Sequence, residues 1–180
     1  MLRSVGAKLR HDKCKFFARE IKYLGHIVNK DGYRPTETYK QKILQFSVPT
    51  SKAKCHSFLG MVGWLAKFIP NIAQLTTPLH KLLHKDVVWH WDSVHDTIFA
   101  KIQYAVDNAY FLHHPDTNKR FYVQTDASNY AYGAVLYQYG EDGTTVLPIE
   151  FMSRTFKGAE LNWHASEKEA FAVLQACKKW

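Results

Sequence analysis

Residues 122–128 read Tyr-Val-Gln-Thr-Asp-Ala-Ser and decide the fold of the second half of the chain. Phe121 and Val123 are apolar and favour extended backbone, so they indicate a strand over residues 120–125. Asp126 follows this strand directly, and the next two residues are small enough to leave room for a substrate backbone. The stretch therefore predicts a carboxylate at the end of a strand.

The sequence after this strand predicts a small sheet covered by a helix. Residues 133–139 and 146–152 indicate two more strands, joined by a hairpin turn at Glu141-Asp142-Gly143. Residues 164–180 then indicate a helix. We expect its buried stripe to contain Ala170, Val173 and Cys177.

Glu169 lies on this last helix, and we expect it to face the sheet. A carboxylate on a strand end and another on a helix over the same sheet could share a magnesium ion, which prefers oxygen ligands. Two-metal phosphodiester hydrolysis needs several carboxylates around ions about 3.5–4 Å apart. Spacing alone leaves an alternative open, in which Asp126 caps a turn and Glu169 is a solvated helix residue.

Charge divides the chain into two parts. Residues 1–85 hold 16 Lys/Arg and 4 Asp/Glu, whereas residues 86–180 hold 8 and 12. A basic part of this kind is suited to nucleic acid, because Lys and Arg displace counterions from phosphates. A basic surface that serves only solubility is the alternative.

The basic part reads as a series of helices. Leu2, Val5 and Leu9 predict the end of an amphipathic helix, and further helices are expected over residues 36–46 and from Ser51. Thr77-Pro78 predicts the start of a short helix. One buried stripe is expected along the helix after Ser51, and it consists of Phe58, Val62, Leu65 and Ile69.

Short motifs in this order resemble the Pol polyprotein of gypsy-type LTR retrotransposons. Residues 13–17 (Lys-Cys-Lys-Phe-Phe) and 23–26 (Tyr-Leu-Gly-His) resemble the end of the reverse transcriptase palm, and 58–71 resemble the thumb. Four further stretches resemble the opening of the RNase H domain, namely residues 124–128 (Gln-Thr-Asp-Ala-Ser), 133–136 (Gly-Ala-Val-Leu), 153–155 (Ser-Arg-Thr) and 167–169 (Glu-Lys-Glu).

The resemblance implies an α+β chain. It has the palm end at residues 1–35, thumb helices at 36–85, a connection at 86–118 and a truncated RNase H-like α/β domain at 119–180. That last domain would contain three antiparallel strands and one helix. The implied activity of the family is RNA-directed DNA synthesis with magnesium-dependent hydrolysis of RNA in RNA–DNA hybrids.

The resemblance also implies roles for individual residues. Asp126 and Glu169 match catalytic metal ligands of the two-metal RNase H site, with Glu167 a weaker candidate. The implied partners are an RNA–DNA hybrid or template–primer duplex and the remainder of the polyprotein. The residues implied to lie along that nucleic acid are Leu24, Gly25, His26, Lys40, Lys42, Lys52, Lys54 and Lys67.

Several departures from the family pattern bear on activity. No Tyr-x-Asp-Asp segment is present, and the sequence ends before the further aspartates of an RNase H site, so we expect the chain to be inactive alone and leave open whether it is an enzyme. Trp64, Ala66 and Glu150 differ from the usual residues and suggest a diverged or decayed copy. The alternatives are a non-catalytic nucleic-acid-binding module, such as a domesticated relic, and an unstable remnant.

Composition suggests an intracellular location. No run approaches the roughly 18 apolar residues of a membrane span, and the N-terminus has no apolar segment typical of a secretory signal. Cys14, Cys55 and Cys177 are widely spaced and odd in number, which favours reduced thiols. We therefore expect a protein that is neither secreted nor membrane-bound.

Overall fold

The computed structural model describes residues 14–180 together with Gly6, Lys8 and Arg10. The helix predicted around Leu2–Leu9 lies outside the described residues. The described part is a mixed α/β structure with two antiparallel sheets. The strands are β1 (Glu20–Tyr23), β2 (His26–Asn29), β3 (Gly32–Pro35), β4 (Leu112–His113), β5 (Tyr122–Ala127), β6 (Ala131–Tyr139) and β7 (Val146–Thr155).

Five α-helices are described, and they form two groups. The helical unit contains α1 (Glu37–Leu44), α2 (Lys52–Trp64), α3 (Ile72–Lys81) and α4 (Ser93–Asp107), with a short 3-10 helix at Ala66–Phe68. The sheet unit contains β5, β6 and β7 with α5 (Ala165–Lys179). In the described part of the chain, no helix is long and apolar enough to cross a membrane.

The core of the helical unit forms around α2. Ser51 caps this helix, and its hydroxyl accepts a hydrogen bond from the backbone N–H of Lys54 at 3.3 Å. The four residues of the predicted stripe are buried, each at most 1% exposed, but α2 ends at Trp64, so the last two of them follow the helix. The four residues are Phe58, Val62, Leu65 and Ile69.

The predicted helix start at Thr77-Pro78 is wrong. Helix α3 begins at Ile72 and contains Pro78, although proline removes one intrahelical hydrogen bond. The Thr77 hydroxyl turns back onto its own helix and donates to the carbonyl of Ala73 at 2.7 Å, so it does not cap a new one. Asn71 directly precedes the helix and is of a capping residue type, but it takes a left-handed conformation and its side chain makes no capping hydrogen bond.

The sheet unit follows the predicted order of strands. β6 lies between β5 and β7, and both pairings are antiparallel. The three strands that the hairpin pattern predicts are confirmed, each with bounds within a few residues of the expected ones. β5 is therefore paired on one side only within the described residues.

The predicted buried stripe of α5 is wrong. Ala170, Val173 and Cys177 are exposed. The residues that point inward are Lys168, Ala172 and Ala176. Aromatic rings from the sheet side, including Tyr132 and Phe156, fill the space over the strands. The helix therefore presents small residues there, and the larger apolar row is left outside.

Candidate functional site

Asp126 occupies the next-to-last position of β5. Its Cα partner across the ladder is Gly133 of β6, and its side chain is exposed. Cross-strand partners project from the same face of a sheet, and successive residues project from opposite faces. The neighbouring Ala127 packs toward the core shared with α5, so Asp126 projects from the other face.

Glu169 lies in the second turn of α5 and is also exposed. It lies at the edge of the buried row of α5, three residues before Ala172 and seven before Ala176. Glu167 instead stabilises the start of α5. Its Oε2 accepts a hydrogen bond from the backbone N–H of His164 at 2.8 Å, which closes the capping box at the start of the helix.

The structure brings the elements that carry the two carboxylates together. Helix α5 packs against β5 and β6, but Asp126 and Glu169 are exposed and have no ion pair or side-chain hydrogen bond in the described part of the chain. No group of three or more potential metal ligands lies together among those residues. Two exposed, unpaired carboxylates are suitable oxygen donors for a hard divalent cation, but they do not complete a site alone.

Lys168 anchors α5, and sequence reasoning missed it. Its side chain is 6% exposed, and its ammonium donates to the carbonyls of Asn129 at 3.2 Å and Leu161 at 3.0 Å. Asn129 lies in the turn after β5, so this lysine ties the helix of Glu169 to the end of the strand of Asp126. No local signal predicts its burial, because both accepting carbonyls lie outside α5.

Leu24, Gly25 and His26 lie at the turn between β1 and β2. Leu24 is 74% exposed with φ 45°, and Gly25 has φ 80°. A Cβ on Gly25 would lie 2.9 Å from the Trp64 ring, so the close packing also requires glycine. The His26 ring stacks on Trp64 with centroids 4.4 Å apart. The turn thus exposes the apolar side chain of Leu24 and packs against the ring of Trp64.

Burial lowers the pKa of His26, and the nearby charge of Lys67 lowers it further. Its Nδ1 is buried and has no hydrogen-bond partner among the residues that the structure describes. Lys67 itself is held over the rings of Tyr33 at 4.7 Å and Phe68 at 5.1 Å, and burial also lowers its pKa. The His26 imidazole and the Lys67 ammonium are therefore both partly buried beside the turn between β1 and β2.

Because its pKa is depressed, His26 makes stability depend on pH. The unfolded chain binds a proton on His26 near its ordinary pKa of 6.5, whereas the folded chain binds it only at lower pH. We expect Tm to fall as the pH is lowered from neutrality to about 5, with less fall in His26→Gln. Thermal unfolding followed across this range checks the prediction, and equal slopes for both proteins would contradict it.

The predicted phosphate-binding lysines differ in their surroundings. The Lys40 ammonium donates to the Asp107 carbonyl at 2.6 Å and lies 3.5 Å from a Glu37 carboxylate oxygen. Lys52 donates to the carbonyl of His84 at 2.6 Å. Lys42 and Lys54 are exposed and have no such partner within the described residues, so they have the most freedom to meet a phosphate.

A sequence model of the RNase H-like domain found in reverse transcriptase matches residues 91–180, which is half of the chain. The Tf2-3 and Tf2-4 transposon polyproteins of Schizosaccharomyces pombe (strain 972 / ATCC 24843) are 34% identical to the chain over 179 residues. These alignments cover 99% of the chain and 13% of each polyprotein.

Two solved structures share the fold at 25% sequence identity. The foamy viral protease-reverse transcriptase in complex with RNA/DNA hybrid has a TM-score of 0.76, over 93% of this chain and 23% of that protein. The same viral protein in complex with dsDNA has a TM-score of 0.75, over 90% of this chain and 34% of that protein.

Antiparallel sheets with packed helices are thus shared with the foamy viral protease-reverse transcriptase, a protein of the reverse transcriptase class. The chain belongs to the family of RNase H-like domains found in reverse transcriptases. The predicted resemblance to retrotransposon Pol polyproteins is confirmed. The chain spans 13% of the length of the Tf2 polyproteins.

Proposed function

We propose that the chain is the part of a retrotransposon Pol polyprotein that holds a template–primer duplex or RNA–DNA hybrid and supplies part of an RNase H site. In this proposal residues 1–35 end the palm, 36–85 form the thumb, 86–118 the connection and 119–180 the start of the RNase H-like domain. The observation that carries it is the packing of α5 against β5, with Asp126 and Glu169 exposed and without an ion pair among the described residues.

Asp126 and Glu169 would hold magnesium through their carboxylate oxygens. Bound magnesium would supply an activated water and would neutralise charge that develops on the scissile phosphate. The chain itself contributes the rigidity of the two donors. Lys168 fixes α5 to the end of β5, which keeps the backbones of the two donors at a constant separation.

We expect the chain alone to be inactive as a nuclease. The two carboxylates are not joined by a third in the described part of the chain, and two-metal hydrolysis needs several. A magnesium-dependent assay on a labelled RNA–DNA hybrid should show no cleavage above that of Asp126→Asn. Cleavage that is lost in Asp126→Asn would contradict the prediction, and cleavage equal in both proteins would indicate a contaminating nuclease.

Binding of nucleic acid without catalysis is the second candidate. It is favoured by the charge of residues 1–85, with 16 Lys/Arg against 4 Asp/Glu, and by the exposure of Lys42 and Lys54. Because such binding is dominated by phosphates, it would show little sequence preference and strong salt dependence. Retention on a duplex at low salt, with no cleavage when magnesium is added, is the result that separates this candidate from the first.

A further inference from the structure

The first turn of α3 packs on β6 and β7 through contacts that have no part in the proposed magnesium site. The backbone N–H of Ala73 donates to Ser153 Oγ at 3.0 Å. The first N–H groups of a helix have no partner within the helix, so a residue of the sheet unit satisfies one of them. A Cβ at Gly133 would overlap Asn71 Oδ1. Only glycine lets the Asn71 side chain lie against the sheet.

Asn71 is held in an unusual conformation for this contact. Its φ is 51°, in the left-handed region that is sparsely populated by residues other than glycine, although asparagine tolerates it better than most. Its side chain makes no capping hydrogen bond to α3. Such conformations persist when the surrounding structure determines them, and here the surrounding structure is the surface of β6 and β7.

The contact lies directly beside Asp126. Asp126 pairs with Gly133, and Gly133 pairs with Ser153, so the three residues form one row across the sheet. Residues in such a row project from the same face. The face from which Asp126 projects is therefore the face on which Asn71 and Ala73 rest.

We propose that Asn71 and Ser153 are positioning residues for Asp126. They fix the sheet unit on the helical unit, so that Asp126 keeps one place relative to the basic helices. Three separate motifs of the sequence meet in this junction, namely the Asn after Ile69-Pro70, the Gly that opens residues 133–136, and the Ser that opens residues 153–155. That Asp126 needs a fixed position rests on the proposed function, whereas the contact between α3 and the sheet does not depend on that function.

The decisive variant is Gly133→Ala, whose new methyl group would strike Asn71 Oδ1. The double variant Gly133→Ala/Asn71→Gly removes the obstructing side chain and places glycine at the left-handed position, so it should restore the junction. Gly60→Ala is the matched control, because a Cβ there meets nothing within 4 Å. Ile43→Val is a second control, which loosens the buried core of the helical unit away from the junction.

The readout is the distance distribution between two spin labels on the folded full chain. One label is placed on α2 through Ser57→Cys and the other on the exposed Cys177 of α5, in a Cys14→Ser background with Cys55 buried. We expect one narrow distribution, a broader one in Gly133→Ala, and a narrow one again in the double variant and in both controls. A merely destabilising change, such as Ile43→Val, would not broaden it.

Amide exchange at Ala73 tests the hydrogen bond separately. In Ser153→Ala this amide should exchange about five- to tenfold faster, since it loses the hydroxyl that accepts its hydrogen bond. An unchanged distribution in Gly133→Ala, or a broad one that Asn71→Gly does not narrow, would overturn the proposal. Neither measurement contains metal or nucleic acid, so their outcome is decided independently of whether the proposed function holds.

Discussion

Replacing Lys168 with methionine is expected to lower the free energy of unfolding by about 3 kcal/mol or more. The methionine keeps most of the buried volume but cannot donate to the carbonyls of Asn129 and Leu161, which are bound at 3.2 and 3.0 Å. Hydrogen bonds from a charged donor contribute about 1.5–3 kcal/mol each. Chemical denaturation of the full chain, followed by circular dichroism, measures the difference.

Lys178→Met is the matched control for this prediction. It makes the same change on the same helix, but at an exposed position. Surface substitutions of this kind usually change stability by no more than about 0.5 kcal/mol. If Lys168→Met were as stable as Lys178→Met, the two carbonyls would not depend on the ammonium, and α5 would have to be held on the sheet by its alanine row alone.

The sequence predicts those parts of the fold that depend on neighbouring residues. Phe58 and Val62 lie four residues apart on α2, and both are buried because the helix period determines which side chains share a face. β6 and β7 are predictable for a similar reason, because Gly143 marks a turn between two runs of β-prone residues. Each of these features carries its signal within a short segment.

Features that depend on distant partners could not be predicted. In the first turn of α3 the Ala73 N–H donates to Ser153, 80 residues further along the chain, and the Asn71 side chain that directly precedes the helix does not cap it. The buried face of α5 contains Lys168 because two carbonyls from other segments accept its hydrogen bonds. Ranking side chains by hydrophobicity would place this lysine outside.

The candidate site also contains a part that local sequence predicts and a part that depends on distant residues. The strand that carries Asp126 and the helix that carries Glu169 follow from local pattern, and the structure packs them together. The surroundings of the lysines do not follow from local pattern. Lys40 and Lys42 lie two residues apart on α1. Lys40 donates a hydrogen bond to the carbonyl of Asp107 at the end of α4, whereas Lys42 is exposed.

Two departures from the family pattern have partners within the chain. Trp64 stacks on His26, and its ring fits against the turn at Gly25. Glu150 accepts hydrogen bonds from Lys179 Nζ at 2.8 Å and from Trp180 Nε1 at 2.9 Å, which ties the end of α5 to β7. Both residues therefore stabilise this fold, and neither has to be explained by decay.

The double variant Lys42→Gln/Lys54→Gln is expected to weaken binding to a duplex at low salt and to flatten its salt dependence. Each lysine that contacts a phosphate contributes about one unit to the slope of log K against log salt. Because Lys42 and Lys54 are exposed without protein partners in the described part of the chain, removing them should lower the slope by about two units. Fluorescence anisotropy with a labelled RNA–DNA hybrid measures it.

Lys101→Gln/Lys119→Gln is the control that separates a binding surface from general charge. Both of these lysines are exposed, and they lie in the less basic second half of the chain, where Lys/Arg number 8 against 12 Asp/Glu. The net charge changes by the same amount in both double variants. If affinity depended only on net charge, the two slopes would fall equally, and the helical unit would have no defined phosphate-binding face. A fall confined to the first variant would place the duplex along α1 and α2.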